Sequence, residues 1–134
     1  MFDFVVEKMI KEPRRLFVID GFGALVSAFL LGVVLVYLKD MIGVPEQTLY
    51  ILAFIPILFA VYDFFCFFKL KKNYSKYLRY IAFANILYCV FSLVMMVNHK
   101  ESLTFLGMTY FITEILLVLI IAYIELGTAK GVQA

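Results

Sequence analysis

Residues 48–68, with the sequence TLYILAFIPILFAVYDFFCFF, decide the fold of this chain. The stretch is almost entirely aliphatic and aromatic, and it carries a single charged side chain, Asp63. About 20 predominantly apolar residues are enough for an α-helix to cross the hydrocarbon core of a bilayer. Residues 48–68 therefore predict a membrane-spanning helix with an acidic residue inside it.

The same pattern occurs three more times, and the connections between the apolar stretches are short. The link KLKKNYSK at 69–76 is typical of them, and links this short make successive helices antiparallel neighbours. The sequence thus predicts an all-α integral membrane protein in which residues 14–134 form an antiparallel up-down bundle of four transmembrane helices. The predicted spans are 16–38, 48–68, 77–97 and 103–126.

The overall composition excludes an ordinary soluble domain. Hydrophobic residues make up 65% of the chain and charged residues 16%, and the mean hydropathy is +1.00. Soluble domains are about half apolar and about a quarter charged. The net charge of +2 gives no reason to expect a nucleic-acid partner.

The basic residues are distributed unevenly between the two predicted faces of the membrane. Of the 12 lysines and arginines, only Lys39 and Lys100 fall on the face that holds the first and third connections. Because short cytoplasmic loops are enriched in lysine and arginine, both termini and the middle loop are predicted to be cytoplasmic. We expect a multi-pass protein of the cell (inner) membrane.

Residues 1–13 are predicted to form a short amphipathic helix on the cytoplasmic surface of the membrane. Apolar side chains recur there at helical spacing and charged side chains take the other faces, as in helices that lie in the interface. The alternative is a disordered terminus. The apolar set is Phe2, Val5, Val6 and Met9, and the charged set is Glu7, Lys8 and Lys11.

One strongly polar side chain lies in each predicted span: Asp20, Asp63, Asn85 and Glu114. A charged residue at the bilayer centre costs about 2.5–3.5 kcal/mol on insertion scales, and such residues usually face the interior of a bundle. All four are therefore predicted to point inward, leaving the large apolar side chains for lipid.

The positions of these residues in their spans predict two depths. Asp20, Asp63 and Asn85 should lie roughly 6–9 Å inside the cytoplasmic boundary, given the helical rise of about 1.5 Å per residue. Glu114 should lie near the midplane, while Glu125 should be solvated at the interface. Two structural alternatives remain for the shallow acids: an ion pair of Asp63 with Arg79, and one of Asp20 with Arg15 or with a lysine near the surface.

Glu114 has no basic residue at its predicted depth. Burial without a basic partner favours the neutral acid. Such a carboxyl can form hydrogen bonds with Tyr88, Tyr110 or Asn85, or it can bind and release a proton.

A weak internal repeat relates the two predicted hairpins. Asp20 and Asn85 come early in the first and third spans, and the segment 60–63 (AVYD) loosely matches 122–125 (AYIE) late in the second and fourth. An ancestral duplication is one interpretation, but four matches within apolar sequence do not establish it.

No catalytic pattern is present in the sequence. It contains no Ser-His-Asp set, phosphate loop or zinc motif, and a single histidine, His99, cannot supply two axial haem ligands. We therefore expect no enzymatic activity, no cofactor and no metal site, because the acids that could bind a metal lie at different predicted depths.

Two functions remain from different classes. The favoured one is a non-catalytic membrane module or subunit that binds a lipid or a partner protein through small-residue faces such as Ala24-xxx-Ala28-xxx-Gly32. Its expected partners are membrane lipids, with a homo-oligomer or another membrane protein as alternatives. The second function is a small proton- or cation-coupled transporter or channel. Its candidate binding or proton-linked residues are Glu114, Asp63, Asp20, Asn85, Tyr110 and Tyr88.

Overall fold

The computed structural model describes residues 2–132, which form helices and short connections without any strand. The description does not include residue 1, the side chain of Phe2 or residues 133–134. The first residue of the predicted region 1–13 and the last two of the predicted region 14–134 therefore lie outside the described residues. The helices are α1 (Phe2–Lys11), α2 (Arg14–Tyr37, with a π-helical turn at Leu30–Val34), α3 (Lys39–Ile42), α4 (Glu46–Lys69), α5 (Tyr74–Asn98) and α6 (Phe105–Gly131).

Within residues 2–132, the helices α2, α4, α5 and α6 are long and apolar enough to cross a membrane. Their outer faces carry large apolar side chains that other parts of the chain leave uncovered, such as Phe54 (59% exposed), Phe83 (63%) and Leu117 (58%). Water-soluble proteins rarely expose continuous apolar surface of this kind. The prediction of a multi-pass, all-helical membrane protein is confirmed.

Most ends of the long helices lie a few residues outside the predicted spans, whereas α2 ends and α6 begins just inside them. The predicted limits of the fourth span were 103–126, whereas α6 begins at Phe105 and continues to Gly131. Thr104 sets the start, because its hydroxyl oxygen accepts a hydrogen bond of 3.1 Å from the backbone N–H of Gly107. At the other end the residues beyond 126 remain packed against the protein, with Thr128 fully buried.

The long helices associate most closely in two pairs, α2 with α4 and α5 with α6. A Cβ added to Gly32 of α2 would lie 3.2 Å from the Cβ of Ala53 on α4, so the small residue allows a close approach there. Contacts between α4 and α5 are sparser, and those between α2 and α6 are sparser again. A space therefore opens along the junction of α2 and α6.

Polar contacts tie the helix ends together in two groups. At one end the Arg14 guanidinium donates hydrogen bonds of 3.1 and 2.9 Å to the carbonyl of Phe67, joining α2 to α4. At the same end the Ser75 hydroxyl donates to the carbonyl of Ala129 at 2.7 Å, joining α5 to α6. The other group joins residues 41–43 to residues 102–104 through the side chains of Ser102 and Thr104.

Helix α1 packs against the C-terminal part of α6. Val6 lies over Gly127, Met9 is buried, and Ile10 lies so close to Gly131 that an added Cβ would meet it at 2.3 Å. Phe4 points away from this contact and is 71% exposed. The apolar residues of α1 are thus divided between a contact with the protein and an uncovered face.

Candidate functional site

The four polar residues predicted to face the interior are all buried. Asp20 is 8% exposed, Asp63 0%, Asn85 4% and Glu114 6%. They do not form one group, however. Three of them meet near the end of the molecule that holds Arg14, and Glu114 forms a separate cluster with tyrosines.

The first group, here called the acidic cluster, consists of Asp20, Asp63, Asn85 and Glu125, one residue from each long helix. The side-chain amide of Asn85 donates hydrogen bonds of 2.9 Å to Oε1 of Glu125 and 3.3 Å to Oδ1 of Asp20. The carboxyls of Asp20 and Glu125 are therefore close neighbours, and the fully buried Asp63 lies beside Gly21, the residue that follows Asp20 on α2. Two carboxyls thus share one amide, and a third is buried nearby.

The prediction that Glu125 is solvated at the interface was wrong, because its side chain is fully buried. The residue was assigned to a helix end, but α6 continues past it and turns its side chain toward Asn85. The weak internal repeat was the signal that could have found it. That repeat aligns Glu125 with Asp63, and the structure brings the two carboxyls to the same cluster.

Neither of the alternative ion pairs for the shallow acids is formed. Arg79 lies on the exposed face of α5, and both carboxyl oxygens of Asp63 are buried without a hydrogen-bond donor among the described residues. Arg15 pairs with Glu12 instead of Asp20. Whether such an ion pair forms depends on the direction in which each side chain points from its helix. Spacing along the chain does not predict that direction.

The second group, the Glu114 cluster, has the hydrogen bonds that the sequence predicted with the two tyrosines. The Tyr88 hydroxyl donates to Oε1 of Glu114 and the Tyr110 hydroxyl donates to Oε2, each at 2.5 Å. Ser27 of α2 borders the same cavity as this carboxyl. Asn85, the third predicted partner, is engaged in the acidic cluster.

A cavity of about 490 Å³ connects the two clusters. It lies between α2 and α6, with walls completed by α4 and α5, and Asp20 and Glu114 both border it. Gly23 faces it, and a Cβ added there would meet no atom within 4 Å. The remaining lining is largely apolar and includes Ile19, Val26, Leu30, Pro56, Phe59, Leu117, Val118 and Ile121.

The cavity reaches the outer surface of the helices. Val26 and Leu117, which line it from α2 and α6, are each 58% exposed. These residues belong to the apolar surface that a bilayer would cover. The opening therefore faces sideways, toward the space that lipid chains occupy around a membrane protein.

Comparison of the chain with protein-family models, with curated proteins and with solved structures gives no match.

Proposed function

We propose that this protein is a non-catalytic membrane module that binds a membrane lipid, with an acyl chain in the cavity between α2 and α6. The cavity carries the proposal. Its volume of about 490 Å³ falls in the range of roughly 300–1,000 Å³ in which small-molecule sites occur, and such sites combine apolar walls with a few convergent polar groups.

The sideways opening favours a lipid as the occupant. An acyl chain can enter between α2 and α6, where few residues are in contact, and pass between Val26 and Leu117. Inside, it meets apolar walls, while the Glu114 cluster offers oxygen atoms to a polar group. A partner helix is a weaker candidate as the occupant. The small residue Gly32, which could allow a partner helix to approach, already packs against Ala53 of the same chain.

The same proposal includes an orientation. We place the four long helices as an antiparallel bundle in the cell (inner) membrane, with both termini in the cytoplasm. All but two of the 12 basic residues then face the cytoplasm. In this arrangement α1 lies at the cytoplasmic interface, and its exposed Phe4 enters the headgroup layer.

Photocrosslinking tests the lipid proposal directly. The protein is reconstituted in nanodiscs with a phospholipid that carries a diazirine on one acyl chain, irradiated, digested and mapped by mass spectrometry. We expect crosslinks to concentrate on the peptides that contain Val26 and Leu117. An even distribution over all exposed apolar residues would contradict a lipid site, and a co-purifying protein seated on these residues would favour a protein partner.

Gly23 offers a matched pair of variants for the same experiment. Gly23→Leu places a branched side chain in the cavity and should abolish the concentrated crosslinks, whereas Gly23→Ala adds a methyl group to open space and should retain them. Equal crosslinking in both variants would show that the lipid lies elsewhere.

A second candidate function is proton- or cation-coupled transport by an oligomer, and Glu114 in the cavity wall favours it. The Glu114 carboxyl borders the cavity and accepts hydrogen bonds from Tyr88 and Tyr110. Its helix, α6, is long and apolar enough to cross a membrane. Proton flux across proteoliposomes under an imposed pH gradient, followed with an internal pH dye, measures this activity. Glu114→Gln should remove the flux and the exposed control Glu101→Gln should keep it. Proton flux no higher than in protein-free vesicles would contradict the transport function, and lipid binding would then be the remaining proposal.

A further inference from the structure

The acidic cluster holds three carboxyls that have no basic partner within residues 2–132. Asp63 and Glu125 are fully buried, and Asp20 is nearly so. Of the two basic side chains at the start of α2, Arg14 is bound to the carbonyl of Phe67 and Arg15 pairs with Glu12. The titratable and polar groups at the cluster are Asp20 from α2, Asp63, Tyr62 and Cys66 from α4, Asn85 from α5 and Glu125 from α6.

The hydrogen-bond donors in this cluster are too few for its oxygens. Asn85 uses its amide for one oxygen of Asp20 and one of Glu125. The remaining carboxyl oxygens, Oδ2 of Asp20, both of Asp63 and Oε2 of Glu125, are buried without a donor among the described residues. A buried polar atom of this kind normally has a partner.

The missing donors can come from the carboxyl groups themselves. Asp20 and Glu125 accept from the same amide, and like charges this close are not all present together, so one carboxyl of a close pair keeps its proton. The retained proton then forms an O–H···O bond to the neighbouring carboxyl. A metal ion is a poorer explanation, because no three histidine, cysteine or acidic residues in the range 2–132 are arranged to hold one.

We propose that Asp20, Asp63, Asn85 and Glu125 form a single proton-binding site, in which carboxyl oxygens share protons. Asp63 and Glu125 hold the buried part of the site, and Asn85 positions Glu125 and Asp20 through its two hydrogen bonds. Asp20 belongs to both the cluster and the cavity lining, so protons exchange with the surroundings through Asp20 and the cavity. This site is distinct from Glu114, whose oxygens are held by tyrosines.

Infrared spectroscopy of the full chain in nanodiscs tests the proposal. A protonated carboxylic acid has a carbonyl band separate from that of a carboxylate, and the band shifts in heavy water if the proton exchanges. At neutral pH we expect such a band in the wild type, and we expect Asp63→Asn and Glu125→Gln each to remove part of it. Glu114→Gln is the control and should leave those components in place.

The variants also test the proposed role of Asn85. Asn85→Leu should shift the cluster components of the band, because two carboxyl oxygens lose their donor, while a role limited to packing would leave the band position unchanged. A spectrum without any protonated-acid band assignable to Asp63 or Glu125 would overturn the proposal. So would loss of the band on exchanging choline chloride for sodium chloride at constant ionic strength, since the site would then bind sodium.

A measurement on the wild type covers the case in which a variant fails to fold. Solid-state NMR of protein labelled with ¹³C-aspartate distinguishes protonated from ionised carboxyls by chemical shift, and Asp63 should give a protonated signal. Ionised signals for both Asp20 and Asp63, together with an ionised Glu125 in a sample labelled with ¹³C-glutamate, would refute the shared proton. The outcome does not depend on lipid binding. The crosslinking of Gly23 variants measures occupancy of the cavity by lipid, whereas this experiment measures the protonation of the carboxyls.

Discussion

The side-chain amide of Asn85 on α5 donates a hydrogen bond of 2.9 Å to the carboxyl of Glu125 on α6, in a part of the molecule that excludes solvent from both groups. The same amide also reaches Asp20 on α2. One neutral side chain therefore links three of the long helices. Because the bonds join different helices, their removal should affect the stability of the whole arrangement and not of one helix alone.

Replacement of Asn85 by leucine is predicted to destabilise the protein by about 1–3 kcal/mol, the usual cost of leaving buried polar groups without a partner. Leucine has a similar size, so the loss reports the hydrogen bonds and not a cavity. Reversible unfolding in mixed detergent micelles measures the change. Asn98→Leu is the matched control on the exposed end of the same helix and should stay within about 0.5 kcal/mol of the wild type. Equal effects of the two substitutions would contradict the role of Asn85.

Part of this arrangement follows from the sequence by simple physics. Hydropathy and length predict the four long helices, and the cost of charge in hydrocarbon predicts that Asp20, Asp63, Asn85 and Glu114 are buried. Other parts need three dimensions. The burial of Glu125 depends on how far α6 continues beyond the apolar stretch, and the cavity depends on α2 and α6 failing to pack closely, which no single-sequence pattern reports.

Tyr88 and Glu114 provide a test of an interhelical bond inside the apolar region. The tyrosine lies on α5 and the acid on α6, and their oxygens are 2.5 Å apart. Interhelical side-chain bonds in membranes average about 0.6 kcal/mol and reach about 1.7 kcal/mol in double-mutant cycles. We predict a coupling energy within this range from the cycle of Tyr88→Phe and Glu114→Leu, because leucine offers no acceptor to the tyrosine hydroxyl. Tyr37→Phe, which removes a hydroxyl from an 87% exposed side chain, should have no measurable effect. Strictly additive effects of the two cycle substitutions would show that the bond contributes nothing.

Gly32 is predicted to act within one chain and not between chains. Its α-carbon approaches α4 so closely that an added Cβ lies 3.2 Å from Ala53. Gly32→Leu must push α2 and α4 apart, and overpacking of this kind typically costs about 1–3 kcal/mol. Unfolding measurements should show the loss, while cross-linking of the oligomer, if one forms, should be unchanged. The same substitution at Gly23, which faces open space, should be milder. A change in oligomeric state with normal stability would place Gly32 at an interface between chains.

Gly43 is predicted to be the glycine that tolerates substitution least. It has a φ of 86°, in the left-handed region, and an added Cβ would lie 1.9 Å from the backbone oxygen of Ser102. The Ser102 hydroxyl also donates to the Gly43 carbonyl at 2.7 Å, so the two connections are held together at this point. A non-glycine residue in a left-handed conformation costs of order 1–3 kcal/mol, and the contact with Ser102 adds to that cost because one connection must move.

Two substitutions separate these contributions. Gly43→Ala suffers from both the backbone conformation and the contact, while Gly43→Asn suffers mainly from the contact, because asparagine adopts the left-handed region more readily. We expect both to destabilise the protein, by more than about 1 kcal/mol, with asparagine the milder. Gly23→Ala is the control and should be neutral or slightly stabilising, since alanine favours a helix by roughly 0.5–1 kcal/mol over glycine. Wild-type stability of Gly43→Ala would mean that residues 41–43 and 102–104 do not approach each other in the membrane as they do in this structure.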